Sequence, residues 1–127
     1  MIDPDILIPA YDDAAGVTAE FNRNILRVLN HRLGADFETG QFAHVALWDP
    51  DNEWIEMRLQ AACDTVVTIR ALDLTLRFDR NEQLRTEISA KLRLPGLRGE
   101  LSTAGFDTAR TWIDPDARYA LVLAERR

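Results

Sequence analysis

The feature that most limits the fold is a change of hydrophobic period near residue 40. Before it, Val17, Phe21, Ile25, Val28, Leu29 and Leu33 recur at three- and four-residue spacing. That spacing places them on one side of a helix. After it, Phe42, His44, Ala46 and Trp48 alternate with Ala43, Val45 and Leu47, the two-residue repeat of a strand. The chain therefore reads as helix first and sheet afterwards. Asp12 or Asp13 can cap the helix with a short side-chain oxygen, and Gly34 can end it in a left-handed conformation. The expected helix covers 13–33. Residues 1–11 are expected to form a leading arm, because Pro4 and Pro9 disfavour a helix.

Asp49-Pro50-Asp51-Asn52 is a turn signal, and Trp54–Leu59 is the return strand, with Ile55, Met57 and Leu59 facing together. Val66–Ile69 and Leu72–Phe78 are further strands. Residues 84–92 fit a helix through Leu84, Ile88 and Leu92, or a strand through Leu84, Thr86 and Ile88. The β-branched Thr86 and Ile88 favour the strand. Together these strands are expected to make an antiparallel meander. Pro95 opens a short helix through about Ala104, and Gly105 stops it. Phe106–Ile113 and Tyr119–Ala124 form a closing hairpin over Asp114-Pro115-Asp116-Ala117. The expected class is α+β: a long N-terminal helix packed on an antiparallel meander, then a short helix and a C-terminal hairpin.

Several function classes drop out. With 21 acidic against 15 basic residues, the net charge of −6 repels phosphate backbones and argues against a nucleic-acid partner. The single Cys63 excludes an internal disulfide and a multi-cysteine zinc site, and reads as a half-buried thiol at a strand end. No apolar run approaches the roughly 20 residues of a membrane helix. The N-terminus is acidic and lacks a signal peptide's basic start. A cytoplasmic location with no membrane partner is expected. His31 and His44 show no HxH or HExxH spacing, so they read as a surface residue and a strand residue, with no metal. None of the six glycines builds a GxGxxG or GxxxxGK loop, and there is no GxSxG.

Glu87 and Ser89 carry more promise. On a strand they project from the same face, about 7 Å apart. A carboxylate and a hydroxyl so placed can grip a two-nitrogen ring from both sides. An exposed polar strand face accounts for the same pattern. Tyr11, just before the helix, can hydrogen-bond a ligand carboxylate or simply pack, and Met57 reads most simply as core.

The stretch Tyr11-Asp12-Asp13-Ala14-Ala15-Gly16-Val17-Thr18-Ala19-Glu20-Phe21-Asn22-Arg23-Asn24 resembles a signature of the S-adenosylmethionine-dependent histidine Nα-methyltransferases. So do Phe42–Asp49, Ile55–Leu59, Thr86–Lys91, Ala104–Phe106 and Trp112–Pro115, in the same order. Leu92 departs from the pattern, where an aromatic usually follows the lysine. The resemblance covers essentially the whole chain and corresponds to the C-terminal portion of the family, whose members make the betaine of histidine on the path to ergothioneine.

The resemblance implies that residues 1–92 are a substrate-binding lobe. Residues 93–127 would be the terminal helix and hairpin that close a class I methyltransferase sheet. Tyr11 would hold the amino acid's α-carboxylate, Glu87 and Ser89 would clasp the imidazole, and Thr18, Phe21 and Met57 would help line the pocket. No residue of this chain is implied to be catalytic. The implied chemistry is in-line attack of the neutral α-amine on a sulfonium methyl group, with alignment as the main protein contribution. The family's glycine loop, an asparagine and a second tyrosine at the substrate lie in a part that this chain does not resemble. S-adenosylmethionine is therefore expected to serve the complete enzyme and not to bind this chain alone, and an N-terminal half would have to act in trans. The alternative is a stand-alone, non-catalytic domain that binds a small molecule or a protein. In either case the hairpin's unpaired edge leads to an expectation of self-association.

Overall fold

The structure, a computed structural model, describes residues 3–127. It divides into two compact units, Pro4–Ala90 and a second that is chiefly Lys91–Arg127. The class is α+β. No helix among the described residues is long and apolar enough to cross a membrane.

The first unit opens with helix α1 (Pro4–Tyr11), where an arm was expected. Pro4 occupies its first position, where an amide hydrogen would have no partner in any case. Pro9 removes one bond inside α1, yet the turn continues, and Asp12 N donates to the Ile8 carbonyl at 2.9 Å. Met1 and Ile2, part of that expected arm, lie outside the described residues. Helix α2 runs Val17–Leu33 and starts four residues later than expected. Residues 13–16 instead form a turn, closed by Gly16 N on the Asp13 carbonyl at 2.9 Å, with Gly16 at φ 73°. Asp13 then caps from outside the helix. Its carboxylate accepts from Val17 N at 3.0 Å and Thr18 N at 2.8 Å. Those bonds, Thr18's foremost, lower the Asp13 pKa to about 2. Gly34, at φ 60°, closes α2 as expected.

The apolar residues of α2 occupy two stripes. Leu26 is fully buried, with Leu29 and Leu33 packed beside it. Val17, Phe21, Ile25 and Val28 lie on the other side and are 40–69% exposed. The core therefore takes only part of the set that three- and four-residue spacing groups together.

Four strands follow α2 as two hairpins: β1 (Phe42–Asp49) with β2 (Trp54–Ala61), and β3 (Thr65–Ile69) with β4 (Leu74–Phe78). Strand β5 (Gln83–Ala90) completes the unit. The expected five-strand meander is not the topology. β5 skips the β3–β4 hairpin and pairs antiparallel with β2, giving a sheet in the order β1-β2-β5. The excursion closes at its base through Ala61 N on the Glu82 carbonyl and Asn81 N on the Ala61 carbonyl. Leu26, Phe37, Phe42, Leu59, Ala61, Val67, Ile69 and Phe78 form the core that joins α2, the sheet and the β3–β4 hairpin. Phe42 meets Phe37 and Phe78 edge-on, with ring centroids 5.7 and 5.5 Å apart. Cys63 is exposed, not half-buried, because it sits in the link between β2 and β3.

The second unit contains α3 (Leu94–Thr103) and the antiparallel hairpin β6 (Phe106–Ile113) and β7 (Ala120–Arg126). Its α3 has Pro95 near the start, and Gly105 at φ 86° follows its end. None of the residues in these three elements is fully buried.

Candidate functional site

Within the first unit, one irregularity decides what β5 presents. Leu84 pairs opposite Leu59 and Arg85 opposite Arg58, but Glu87 pairs opposite Met57 and Ser89 opposite Ile55. Thr86 has no register partner, so the strand carries a one-residue bulge there. Directly opposed residues share a face of the sheet. Without the bulge, residues 84, 86 and 88 would share one face and 87 and 89 the other. With it, Glu87 and Ser89 join the face of Leu59, Met57 and Ile55, and Ile88 turns outward, 45% exposed.

Tyr11 meets this face from α1, whose last residue it is. Its hydroxyl shares a 2.8 Å hydrogen bond with Ser89 Oγ, across 78 positions of sequence. Met57 is buried at 4% exposure beside Glu87, which is itself exposed. Thr18 lies one turn before Asn22 on the sheet-facing side of α2 and is half-buried. Phe21 is 66% exposed, on the other stripe of α2. Tyr11, Ser89, Glu87 and Met57 thus come together on one face, whereas the Phe21 side chain turns to solvent.

Three residues that pattern reasoning passed over sit behind that face. Asn22, only 4% exposed, donates from Nδ2 to His44 Nδ1 at 2.9 Å and to the Arg58 carbonyl at 3.1 Å. Its Oδ1 accepts from the Thr86 hydroxyl at 2.5 Å, and the Met57 carbonyl lies 3.0 Å from the same hydroxyl. His44 Nε2 contacts the Tyr11 carbonyl at 2.7 Å. The available signal was an asparagine in the middle of the apolar stripe of α2, since a buried amide needs partners. No buried side-chain nitrogen or oxygen among the described residues lacks one.

The opposite face of the sheet carries a different cluster. Glu56, 4% exposed, accepts from Arg58, from Arg85 Nη1 at 3.0 Å and from Trp54 Nε1 at 3.0 Å. The Arg58 guanidinium chiefly holds its carboxyl below the usual range, against burial that pushes it up. One carboxylate hydrogen-bonded to two guanidiniums and an indole N–H suits a structural ion cluster.

Among the described residues no three histidine, cysteine or acidic side chains are grouped to hold a metal. Gly16 and Gly34 cap α2, Gly40 lies in a short turn, Gly96 and Gly99 lie inside α3, and Gly105 follows it. None belongs to a glycine-rich loop of the kind that cradles a nucleotide-bearing cofactor.

The profile of a family described as histidine-specific methyltransferase, SAM-dependent, matches residues 1–126. The histidine N-alpha-methyltransferase of Mycolicibacterium smegmatis (strain ATCC 700084 / mc(2)155) is 47% identical over 124 residues, which are 98% of this chain and 39% of that protein. The histidine N-alpha-methyltransferase of Mycobacterium tuberculosis (strain CDC 1551 / Oshkosh) is 46% identical over 120 residues, 94% of this chain and 37% of that protein. The chain thus spans about two fifths of the length of these curated relatives. With essentially its full length matched by the family profile, this chain belongs to the SAM-dependent, histidine-specific methyltransferase family.

Proposed function

We propose that this chain is the substrate-recognition part of an N-methyltransferase acting on the α-amine of histidine. The Tyr11–Ser89 hydrogen bond, with Glu87 on the same face, is the observation that carries this reading. Glu87 accepts one imidazole N–H, Ser89 satisfies the other ring nitrogen, and Tyr11 exchanges its bond to Ser89 for one to the ligand carboxylate. Met57 and Thr18 line the same face. Phe21, on the exposed stripe of α2, meets the substrate only where further chain covers that stripe. Binding the ring remote from the reacting nitrogen sets selectivity, because an amino acid without ring nitrogens offers Glu87 no N–H and Ser89 no ring nitrogen.

The methyl donor is held by residues beyond those of this chain, and α3 with the β6–β7 hairpin forms the end of the sheet that they complete. The open apolar side of that hairpin supports this: Trp112, Leu121 and Leu123 are 41–55% exposed. Calorimetry with L-histidine and with S-adenosylmethionine tests the reading. Binding of the amino acid alone is expected, with methyl transfer appearing only when the N-terminal portion of a longer relative is added. Binding of S-adenosylmethionine to the chain by itself, or no response to L-histidine, would contradict it.

A further inference from the structure

We infer that Asn22, His44 and Thr86 are positioning residues, a hydrogen-bond relay that sets Tyr11 against Glu87 and Ser89. The geometry fixes which atom carries each proton. Asn22 Nδ2 faces the Arg58 carbonyl, which only accepts, so the amide cannot be flipped. One Nδ2 hydrogen goes to that carbonyl and the other to His44 Nδ1. His44 Nδ1 is therefore an acceptor. Its Nε2 carries the ring proton and donates it to the Tyr11 carbonyl at 2.7 Å.

That carbonyl is the last of α1, in the turn whose carbonyls accept from outside the helix ladder, and His44 is such a donor. His44 thus ties down the turn from which the Tyr11 ring projects. At the other end, Thr86 is the bulge residue, and its hydroxyl reaches Asn22 Oδ1 at 2.5 Å. The bulge is what turns Glu87 and Ser89 toward Tyr11. One buried asparagine therefore holds both the residue that terminates α1 and the residue that redirects β5. Core packing asks only for apolar volume at Asn22. A polar chain running between the two halves of a clamp, with its atoms satisfied, is the arrangement expected of residues that orient others.

The inference of a positioning role rests on the proposed amino-acid site, but the relay itself is testable without a ligand. In the 127-residue chain with 15N-labelled imidazoles, long-range proton–nitrogen correlation is expected to show His44 neutral, protonated on Nε2 and bare on Nδ1. A proton on Nδ1 overturns the relay, and this measurement needs no variant. Thr86→Val removes the hydroxyl at nearly constant shape. It is expected to shift the Tyr11 ring and Ser89 amide resonances and to weaken L-histidine binding about tenfold. Thr86→Ser is expected to restore both. Unmoved Tyr11 and Ser89 resonances in folded Thr86→Val protein overturn the relay. If the parent chain binds no L-histidine, the functional reading falls, while the ring tautomer and the resonance shifts still decide the relay.

Discussion

Leu59 in β2 and Leu121 in β7 both belong to alternating strands of antiparallel hairpins, yet Leu59 is fully buried and Leu121 is 55% exposed. The contrast extends to their units. Between Pro4 and Ala90, α2 and the β3–β4 hairpin supply apolar side chains that cover one side of the sheet. Beyond Lys91, a single ten-residue helix and one hairpin bury no residue completely. Alternation specifies a strand, but it does not specify what lies over it. The first unit contains its own cover, whereas the second presents an apolar side with no equivalent layer from its own residues.

The largest expected effect breaks this comparison if it fails. Leu59→Ala is expected to cost about 3 kcal/mol in denaturant unfolding, since it leaves a cavity in a closed core. Leu121→Ala should change stability by less than about 0.5 kcal/mol. Equal losses at the two sites would mean that the units are not differently packed.

Glu56 sharpens the account of the first unit. Replacing it with glutamine is expected to cost about 2 kcal/mol, because two arginines lose their shared carboxylate. Its pKa in the folded protein lies below the ordinary 4.5, so its contribution is complete above that value. The contribution is lost as pH falls through the lowered folded value. Acid unfolding followed by circular dichroism should accordingly lose part of its steepness below about pH 4.5 in Glu56→Gln.

The second unit yields a different readout. Self-association of the chain is the expected outcome in sedimentation, and Leu121→Glu and Trp112→Glu should reduce it while leaving the unfolding midpoint nearly unchanged. A parent chain that sediments only as a monomer would remove the argument that its hairpin needs a cover. The smallest effect is local. Asp13→Ala should speed hydrogen exchange of the Val17 and Thr18 amides, which its carboxylate accepts from, without altering exchange at Leu26.

Much of this architecture was legible from pattern. A strand within 84–92, the helix near Pro95 and the turn at Asp114–Ala117 follow from β-branching, proline and turn chemistry, and Gly34 marks the end of α2. What pattern missed has physical causes. Pro4 and Pro9 hid α1, because a proline in a two-turn helix forfeits little hydrogen bonding. The two apolar stripes of α2 merged into one, since periodicity does not say which of them meets the sheet, and Asn22 makes the buried one look less apolar. The pairing of β5 with β2 depends on contacts across the β3–β4 excursion, which no local signal carries. The bulge at Thr86 is equally nonlocal. The spacing of Glu87 and Ser89 shows that they share a face, but the bulge decides which one.

A titration with L-histidine, followed through the backbone amides of Tyr11, Glu87 and Ser89, bears most directly on whether that face is a recognition site. The three signals should move together and saturate, phenylalanine should leave them largely in place, and Glu87→Ala should abolish the difference between the two amino acids. Signals that stay fixed, or that respond equally to histidine and phenylalanine in the parent protein, would contradict the account.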